Sequence, residues 1–422
     1  MNPTAPPDRD PISPHLPKYA PFPDTTFTFV DLFCGIGGFH VAMQSMGGNC
    51  VFACDIDADC RATYTKNYGI PCAGDLTQID LASIPPFDVL CAGFPCQPFS
   101  KAGAQLGFDD DRGHLFFRLC EVVRHHRPSY LIFENVRNLA THDDGNTWRV
   151  IRENIGALGY ITYADPLILN VLHFNIPQNR ERVILLCQRQ DLGELPTLPP
   201  ISKTPKVSLT RSVADYLRES DREYNRAFQI SGKLKQVEQV WNEFVESMIR
   251  HSIEMPKYPL WTDWWDNDLA TADRAFYAKY TNWIDKNREF YARHRAVLHP
   301  WLERSRKNKW WTGAVRKFEW QAGDLLATDG MHTLLWTPRG SGVRVKRPNY
   351  IPTLVAMSMT PVYGPESRKL SPRELLRLQS FPETFVFNEK SIYKQVGNAV
   401  NTTMIERCAR FLMRGEPLFT HL

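Results

Sequence analysis

The chain is predicted to be an α/β protein with a mostly parallel sheet, helices on both faces, and a second, irregular module inserted into it. Short apolar runs of strand length recur through its first half: FTFVDLF from Phe27, CVFACD from Cys50, FDVLCAG from Phe87, SYLIFEN from Ser129 and RVILLC from Arg182. Runs this apolar fit strands buried on both faces. Between them the spacing turns helical. Leu115, Leu119 and Val122 share one face after Asp111, as do Trp148, Ile151, Ile155 and Leu158 after Gly145. Strand and helix alternating in this way imply a parallel sheet with helical crossovers.

A length of 422 residues leaves room for two domains. Residues 1–25 carry eight prolines and few large apolar side chains, which predicts an extended, poorly ordered arm. The alternating pattern occupies 26–190. From 191 to 369 the chain is richer in tryptophan, tyrosine and basic residues and loses its regular period, as expected of a separate substrate-reading module. Helical signal returns in 370–422. Ser371 as a cap, Pro372 at the first helical position and Glu374 three residues after the serine form a capping box ahead of Leu375, Leu376 and Leu378. A final helix bears Val400, Met404, Ile405, Cys408 and Phe411 on one side, a stripe that needs the first domain's core.

Composition narrows the class without deciding it. A formal net charge of +4 neither demands nor excludes nucleic acid, because local patches decide that. The ten cysteines show no CxxC pair and no zinc spacing, and several lie inside apolar runs, so reduced thiols and no metal site are expected. The start has no secretory pattern, and no apolar stretch is long enough to cross a bilayer, so a cytoplasmic protein is expected.

The first strand ends in DLFCGIGGFH, where Gly35, Gly37 and Gly38 allow a tight turn and close approach of a ligand at the carboxyl edge of the sheet. A dinucleotide fingerprint would place a third glycine at position 40, which is His40. That disfavours nicotinamide and flavin. An S-adenosyl ligand lacks a pyrophosphate and asks more of carboxylates, and Asp55 after the second strand is placed for its ribose, with Asp75 near the adenine. The bland alternative is a tight turn with surface aspartates.

Cys96 in FDVLCAGFPCQPFS follows a buried strand and stands between Pro95 and the turn residues Gln97 and Pro98. The prolines restrict the backbone and remove two N–H groups, so this stretch ends the strand and presents a side chain at the sheet edge. Cys91, within the strand, reads as a small core residue instead. An ordinary thiol is only a few per cent thiolate at neutral pH and needs a cationic neighbour or an activated substrate. The next strand ends in ENV and brings Glu134 to the same edge. Thiol, carboxyl and cofactor turn together fit one reaction: attack on carbon 6 of cytosine while an acid holds ring N3, then methylation at carbon 5. A salt-bridged or capping glutamate is the bland reading of Glu134.

Gln178, Arg180 and Arg182 alternate in IPQNRERV and so share one strand face, where two arginines fit phosphate or a base carbonyl, the bland reading being an exposed charged strand edge. In the middle module, basic residues interleave with Trp310, Trp311, Phe318 and Trp320, and GVRVKRPNY adds Arg344, Lys346 and Arg347. The tryptophans read as that module's own core, and the three cations as contacts to DNA.

In this order, DLFCGIGGFH, GDLTQI, GFPCQPFS, ENV, QNRERV, RELLRLQSFPETF and YKQVGNAV closely resemble the motif series of the cytosine-5 DNA methyltransferases, over nearly all of the catalytic domain. The resemblance implies a Rossmann-like, S-adenosylmethionine-dependent core with a separate, irregular target-recognition domain. It implies Cys96 as covalent nucleophile, Glu134 as ring acid, and Arg182 and Gln97 as active-site helpers. Phe33, Gly35, Ile36, Gly37, Asp55, Ile56, Asp75, Leu76, Pro95, Leu115, Asn398 and Val400 would line the cofactor site, with Asp55 standing where a glutamate is more usual. Ser100, Gln178, Arg180, Arg344, Lys346, Arg347 and Thr353 would meet double-stranded DNA. A bacterial, nucleoid-associated monomer working beside a restriction endonuclease is expected. The rival readings are an RNA cytosine methyltransferase and a non-catalytic DNA-binding regulator.

Overall fold

The computed structural model describes residues 26–95, 114–202, 209–218, 221–266, 274–354 and 360–419. The described residues form two compact units. The first holds those through Phe174, those from Arg180 to 202 and those from Gln379 onward; the second holds Asn175–Asn179 and those from 209 to Leu378.

In the first unit the strands are β1 (Phe27–Leu32), β2 (Gly48–Cys54), β3 (Val89–Ala92), β4 (Tyr130–Val136), β5 (Tyr160–Thr162) and β6 (Leu167–Asn170). The two-residue β7 (Gln178–Asn179) falls in the second unit, and β8 (Glu181–Arg189) returns to the first. The sheet runs β2-β1-β3-β4-β8-β5, with β6 also on β8. The strands from β2 to β4 are parallel, but β8 is antiparallel to all three of its partners. Because β5 and β6 oppose β8, they run the same way as β4, so six of the seven strands share one direction, as expected of a mostly parallel sheet, and β8 alone opposes it. The apolar run of β8 signals burial on both faces, which either direction would satisfy.

Its helices are α1 (Gly38–Gln44), α2 (Ala58–Tyr68), α3 (His114–His126) and α4 (Asn146–Ala157). Alternation along the strands sorts the layers. Val30, Leu32, Leu90, Leu131, Phe133 and Leu185 pack with Phe116, Leu119, Val122, Trp148, Ile151 and Ile155 of α3 and α4. Each such side chain contributes roughly 1.5–3 kcal/mol on leaving water. Alternate strand residues, Phe29, Cys91, Ile132 and Leu186, are fully buried in the opposite direction.

The second unit is more regular than its sequence suggests. Its helices are α5 (Arg222–Asn225), α6 (Gly232–Arg250), α7 (Arg274–Arg293) and α8 (Arg295–Arg306). Its strands are β9 (Leu260–Trp261), β10 (Lys317–Trp320), β11 (Leu335–Arg339), β12 (Gly342–Lys346), β13 (Ile351–Pro352), β14 (Val362–Tyr363) and β15 (Arg368–Lys369). Six of them form a sheet in the order β15-β14-β11-β12-β10-β9, and β13 pairs with β7. Trp241, Trp265, Trp301, Trp311 and Trp336 are buried in its core, with Trp241 stacked on Phe318 at 4.3 Å. The tryptophans are thus structural.

Helix α9 (Pro372–Leu378) closes this unit. Its capping box forms: Ser371 N–H donates to Glu374 (2.8 Å) and Glu374 N–H to the Ser371 hydroxyl (3.4 Å). The chain returns to the first unit only at Gln379, nine residues after the expected boundary at 370. Helices α10 (Ile392–Asn398) and α11 (Thr402–Arg414) complete the first unit. Met404, Ile405, Cys408 and Phe411 of α11 are buried, and α11 packs on α1.

Candidate active site

The sheet order places a topological switch between β1 and β3, because the chain leaves β1 toward β2 on one side and later returns to its other side. Ligands of open α/β sheets bind outside the carboxyl ends of strands at such a point. After β1, the turn holds Phe33, Gly35 and Gly37 at φ 54°, 53° and 87°. A Cβ on Gly37 would run into the Tyr68 ring, and one on Gly38 would lie 2.6 Å from Val400 Cγ2. Glycine is needed at both places for close packing. Gly35, by contrast, faces open space among the described residues, none of which comes within 4 Å of where its Cβ would be.

Asp55, just past β2, holds this turn. Its Oδ2 accepts from Gly35 N–H (2.8 Å) and its Oδ1 from Asp57 N–H (2.8 Å). Burial raises its pKa, against the pull of those N–H groups. Beside it, Ala73 bonds to both Ala53 and Asp55 and carries the chain to Asp75, whose Oδ1 accepts from Thr77 N–H (2.9 Å). Leu76 is buried, Phe33 and Leu115 are half-buried, Ile36 is buried, and Ile56 is 75 % exposed, a large apolar side chain facing solvent at the mouth of the site. Such a surface can take a planar aromatic ring.

Two supports of the turn were invisible in the sequence. Tyr68 donates its hydroxyl to the carbonyls of Ile36 and Gly37 (both 3.0 Å), and its ring stacks on His40 at 3.8 Å. His40 is itself bonded to Tyr64 (2.7 Å), and burial lowers its pKa to about 3, so the layer beneath the turn carries a neutral imidazole at working pH. Only the i, i+4 spacing of Tyr64 and Tyr68 hinted at a shared face. On the far side, Lys394 pairs with Asp57 (2.7 Å) and Gln395 bonds Thr63, which anchors α10 to α2. Asn398 at the end of α10 is exposed, and Val400 is buried against Gly38.

The catalytic edge lies at β3 and β4. Ala92 pairs with Phe133, so Glu134 is the next residue on β4 past the last paired position of β3. Glu134 is 8 % exposed and Arg182 is 9 % exposed, and Arg182 Nε sits 2.6 Å from Glu134 Oε1. Antiparallel β8 explains the pair, because it sets Arg182 opposite Val136 and Ile184 opposite Glu134. Asn135 then donates to the Phe94 carbonyl (2.9 Å), tying the end of β4 to the backbone two residues before Cys96. The sequence drew attention to ENV without giving Asn135 this task. Pro95 is exposed, and Cys96, Gln97 and Ser100 lie outside the described residues.

Several residues expected to meet DNA have other work. Arg180 is 1 % exposed and donates to the carbonyls of Gly397 (3.1 Å) and Ala399 (2.8 Å), and burial lowers its pKa. Its guanidinium remains charged at neutral pH and pins the GNAV segment, so it is a positioning residue and not a phosphate contact. Gln178 is fully buried, and its side-chain amide has no hydrogen-bond partner among the described residues. Lys346 is 7 % exposed with its ammonium 3.2 Å from the Tyr350 ring centre, and burial, then Arg344 and Arg339, lower its pKa to about 7. Arg347 is held by Asp329 and by the Ala322 carbonyl (3.0 Å). Arg344 pairs with Glu319 (2.8 Å), and Thr353 donates to the Asn179 carbonyl (2.7 Å). Gln178, Arg180 and Arg182 are each buried, whereas Asn179 is exposed and Glu181 half-buried, so the alternation in the sequence marks covered side chains and not a surface offered to phosphate.

A family model, C-5 cytosine-specific DNA methylase, matches residues 27–414. The chain belongs to that family. This cytosine-5 DNA methylase is 31 % identical to the type II methyltransferase M.AluI of Cellulosimicrobium cellulans, over 91 % of each chain. It is 45 % identical to M.HhaI of Haemophilus parahaemolyticus over 40 % of this chain and 51 % of that one. A solved structure of an Escherichia coli prophage-encoded DNA modification methyltransferase covers 90 % of this chain and 97 % of its own, with a TM-score of 0.51 and 18 % identity. That likeness is one of fold.

For the methylase, the arrangement of Asp55 yields a prediction. Asp55→Ala removes the acceptor that holds Gly35, so the methyl donor's KM should rise about tenfold or more with a smaller change in kcat. An unchanged KM would take Asp55 out of the donor site.

Proposed function

We propose that the methylase moves the methyl group of S-adenosylmethionine to carbon 5 of a flipped-out cytosine in a specific double-stranded DNA sequence, through a covalent adduct on Cys96. The reading rests chiefly on Glu134, ion-paired with Arg182 at 2.6 Å, next to the Asn135 tether on the strand that leads to Cys96. The donor fits the residues present: open space at Gly35, the Asp55 carboxylate, Asp75 and the uncovered face of Ile56. When bound, it supplies an electrophilic methyl group on a positively charged sulfur.

Cytosine is a poor electrophile at carbon 6. A proton held at ring N3 by Glu134 lets the Cys96 thiolate add there, and the electrons moved to carbon 5 make that atom nucleophilic. After methylation, loss of the carbon 5 proton restores the double bond and expels the thiolate. Arg182 keeps the Glu134 carboxyl oriented, and Gln97 assists at the same edge. Flipping the base costs a few kcal/mol, which pocket and groove contacts must recover.

The second unit carries target choice in this proposal, with Arg344 and Arg347 half-buried and Lys346 the most deeply buried of its proposed DNA cations. Grafting 207–378 onto a relative should transfer site preference, read by sequencing the methylated products. An unchanged preference would count against the assignment. The likeness to type II methyltransferases supports a protective role beside a restriction endonuclease, and in this proposal the enzyme acts as a cytoplasmic monomer. Bisulfite sequencing of duplex DNA incubated with the protein and S-adenosylmethionine tests base, position and sequence context together. Conversion-resistant cytosines at one recurring sequence are expected; methylation of transfer RNA alone would overturn the DNA reading.

A further inference from the structure

The glycine turn carries a feature that methyl transfer does not use. Cys34 lies inside it, 5 % exposed, and its Sγ is 3.4 Å from that of Cys72, which is half-buried and so reachable from solvent. Both segments are fastened to the end of β2. Cys34 N–H donates to the Cys54 carbonyl (3.0 Å), Ala73 N–H to the Ala53 carbonyl (2.8 Å) and Asp55 N–H to the Ala73 carbonyl (3.0 Å). The two sulfurs are therefore held face to face by backbone that belongs to the donor site. The other described cysteines are buried, Cys91, Cys187 and Cys408 fully so, and Cys72 is the one described cysteine that is half-buried.

We propose that Cys34 and Cys72 form a reversible disulfide under peroxide-class oxidants and that closing it weakens binding of the methyl donor. The Cys72 thiolate attacks one peroxide oxygen, the O–O bond breaks, and hydroxide leaves a sulfenic acid on Cys72. The Cys34 sulfur then attacks that sulfur and gives up its proton, and water departs. Two thiols lose two electrons, and the peroxide becomes two waters. Joining the sulfurs shortens their separation from 3.4 Å to ~2.05 Å. Contraction falls on the turn that has residues at positive φ, and the Gly35 bond to Asp55 must give.

The effect on the donor rests on the site proposed above, whereas the disulfide itself does not. The full-length protein is treated with hydrogen peroxide, digested without reductant and mapped by mass spectrometry. S-adenosylmethionine affinity is measured by calorimetry before oxidation, after it, and after dithiothreitol. Binding is the readout, because oxidation of Cys96 would stop turnover by itself. A Cys34–Cys72 linked peptide, absent in Cys72→Ser, should accompany a donor Kd weakened about tenfold or more. Dithiothreitol should restore the affinity, and the Cys72→Ser protein should keep it through oxidation. Absence of the linked peptide overturns the proposal, as does a linked protein with unchanged Kd. If the reduced protein fails to bind S-adenosylmethionine while the linked peptide forms, the donor site and the proposed effect on it both fall.

Discussion

Cys96→Ala should abolish methyl transfer while duplex DNA is still bound. Without the sulfur no covalent bond to carbon 6 forms, and carbon 5 of an unactivated cytosine is too weak a nucleophile to take the methyl group. Loss of a covalent nucleophile typically costs on the order of 10⁴-fold or more in kcat. Binding survives because phosphate and groove contacts come from elsewhere in the chain. Incorporation of labelled methyl into DNA, paired with a gel-shift titration, separates the two. Substantial turnover in this variant would remove Cys96 from the chemistry.

Glu134→Gln should lower kcat by roughly 10²–10⁴, the usual worth of a positioned acid, with a smaller change in KM. The amide keeps the shape of the side chain but cannot deliver a proton to N3. Arg182→Met probes the partner. It leaves the Glu134 carboxylate 8 % exposed and without its ion pair, which should cost roughly 3–5 kcal/mol of stability as well as activity. A denaturant midpoint beside the steady-state rates tells the two effects apart. If Glu134→Gln turned over at the wild-type rate, the carboxyl would be only a structural partner of Arg182.

The strands of the catalytic edge could be read from sequence because burial on both faces writes itself as an unbroken apolar run. VDLF, VLCA and LIFEN fall within β1, β3 and β4 or extend at most one residue past them. Direction is not written in that way. RVILLC could run either way in the sheet, and only the antiparallel course of β8 sets Arg182 across from the end of β4 and pairs it with Glu134. The task of Arg180 is hidden from the sequence for a related reason. Its partners, the carbonyls of Gly397 and Ala399, lie more than two hundred residues away, and no local pattern announces a buried guanidinium that serves backbone.

In the second unit, period and aromatic content pulled apart. α6 carries Val237, Trp241, Phe244, Val245 and Met248 on one buried face, a helical spacing that its many tryptophan-rich neighbours obscured. The basic residues there looked available because sequence shows charge but not its partners. Arg347 is held by Asp329, and Arg306 by Asp266, each pairing residues brought together only by the fold. The exposed Arg306–Asp266 pair contributes ~0–1 kcal/mol, whereas Asp329 is buried beneath Arg347.

Trapping is the most direct test of the thiol and acid acting together. Duplex DNA in which the target cytosine carries fluorine at carbon 5 can accept the thiolate and the methyl group but has no proton there to lose. The account predicts a complex that survives denaturant, forms only when S-adenosylmethionine is present, and maps by mass spectrometry to Cys96. It should form far more slowly in Glu134→Gln. A trapped adduct on any other residue, or efficient methylation of ordinary DNA with no adduct on the fluorinated one, would contradict it.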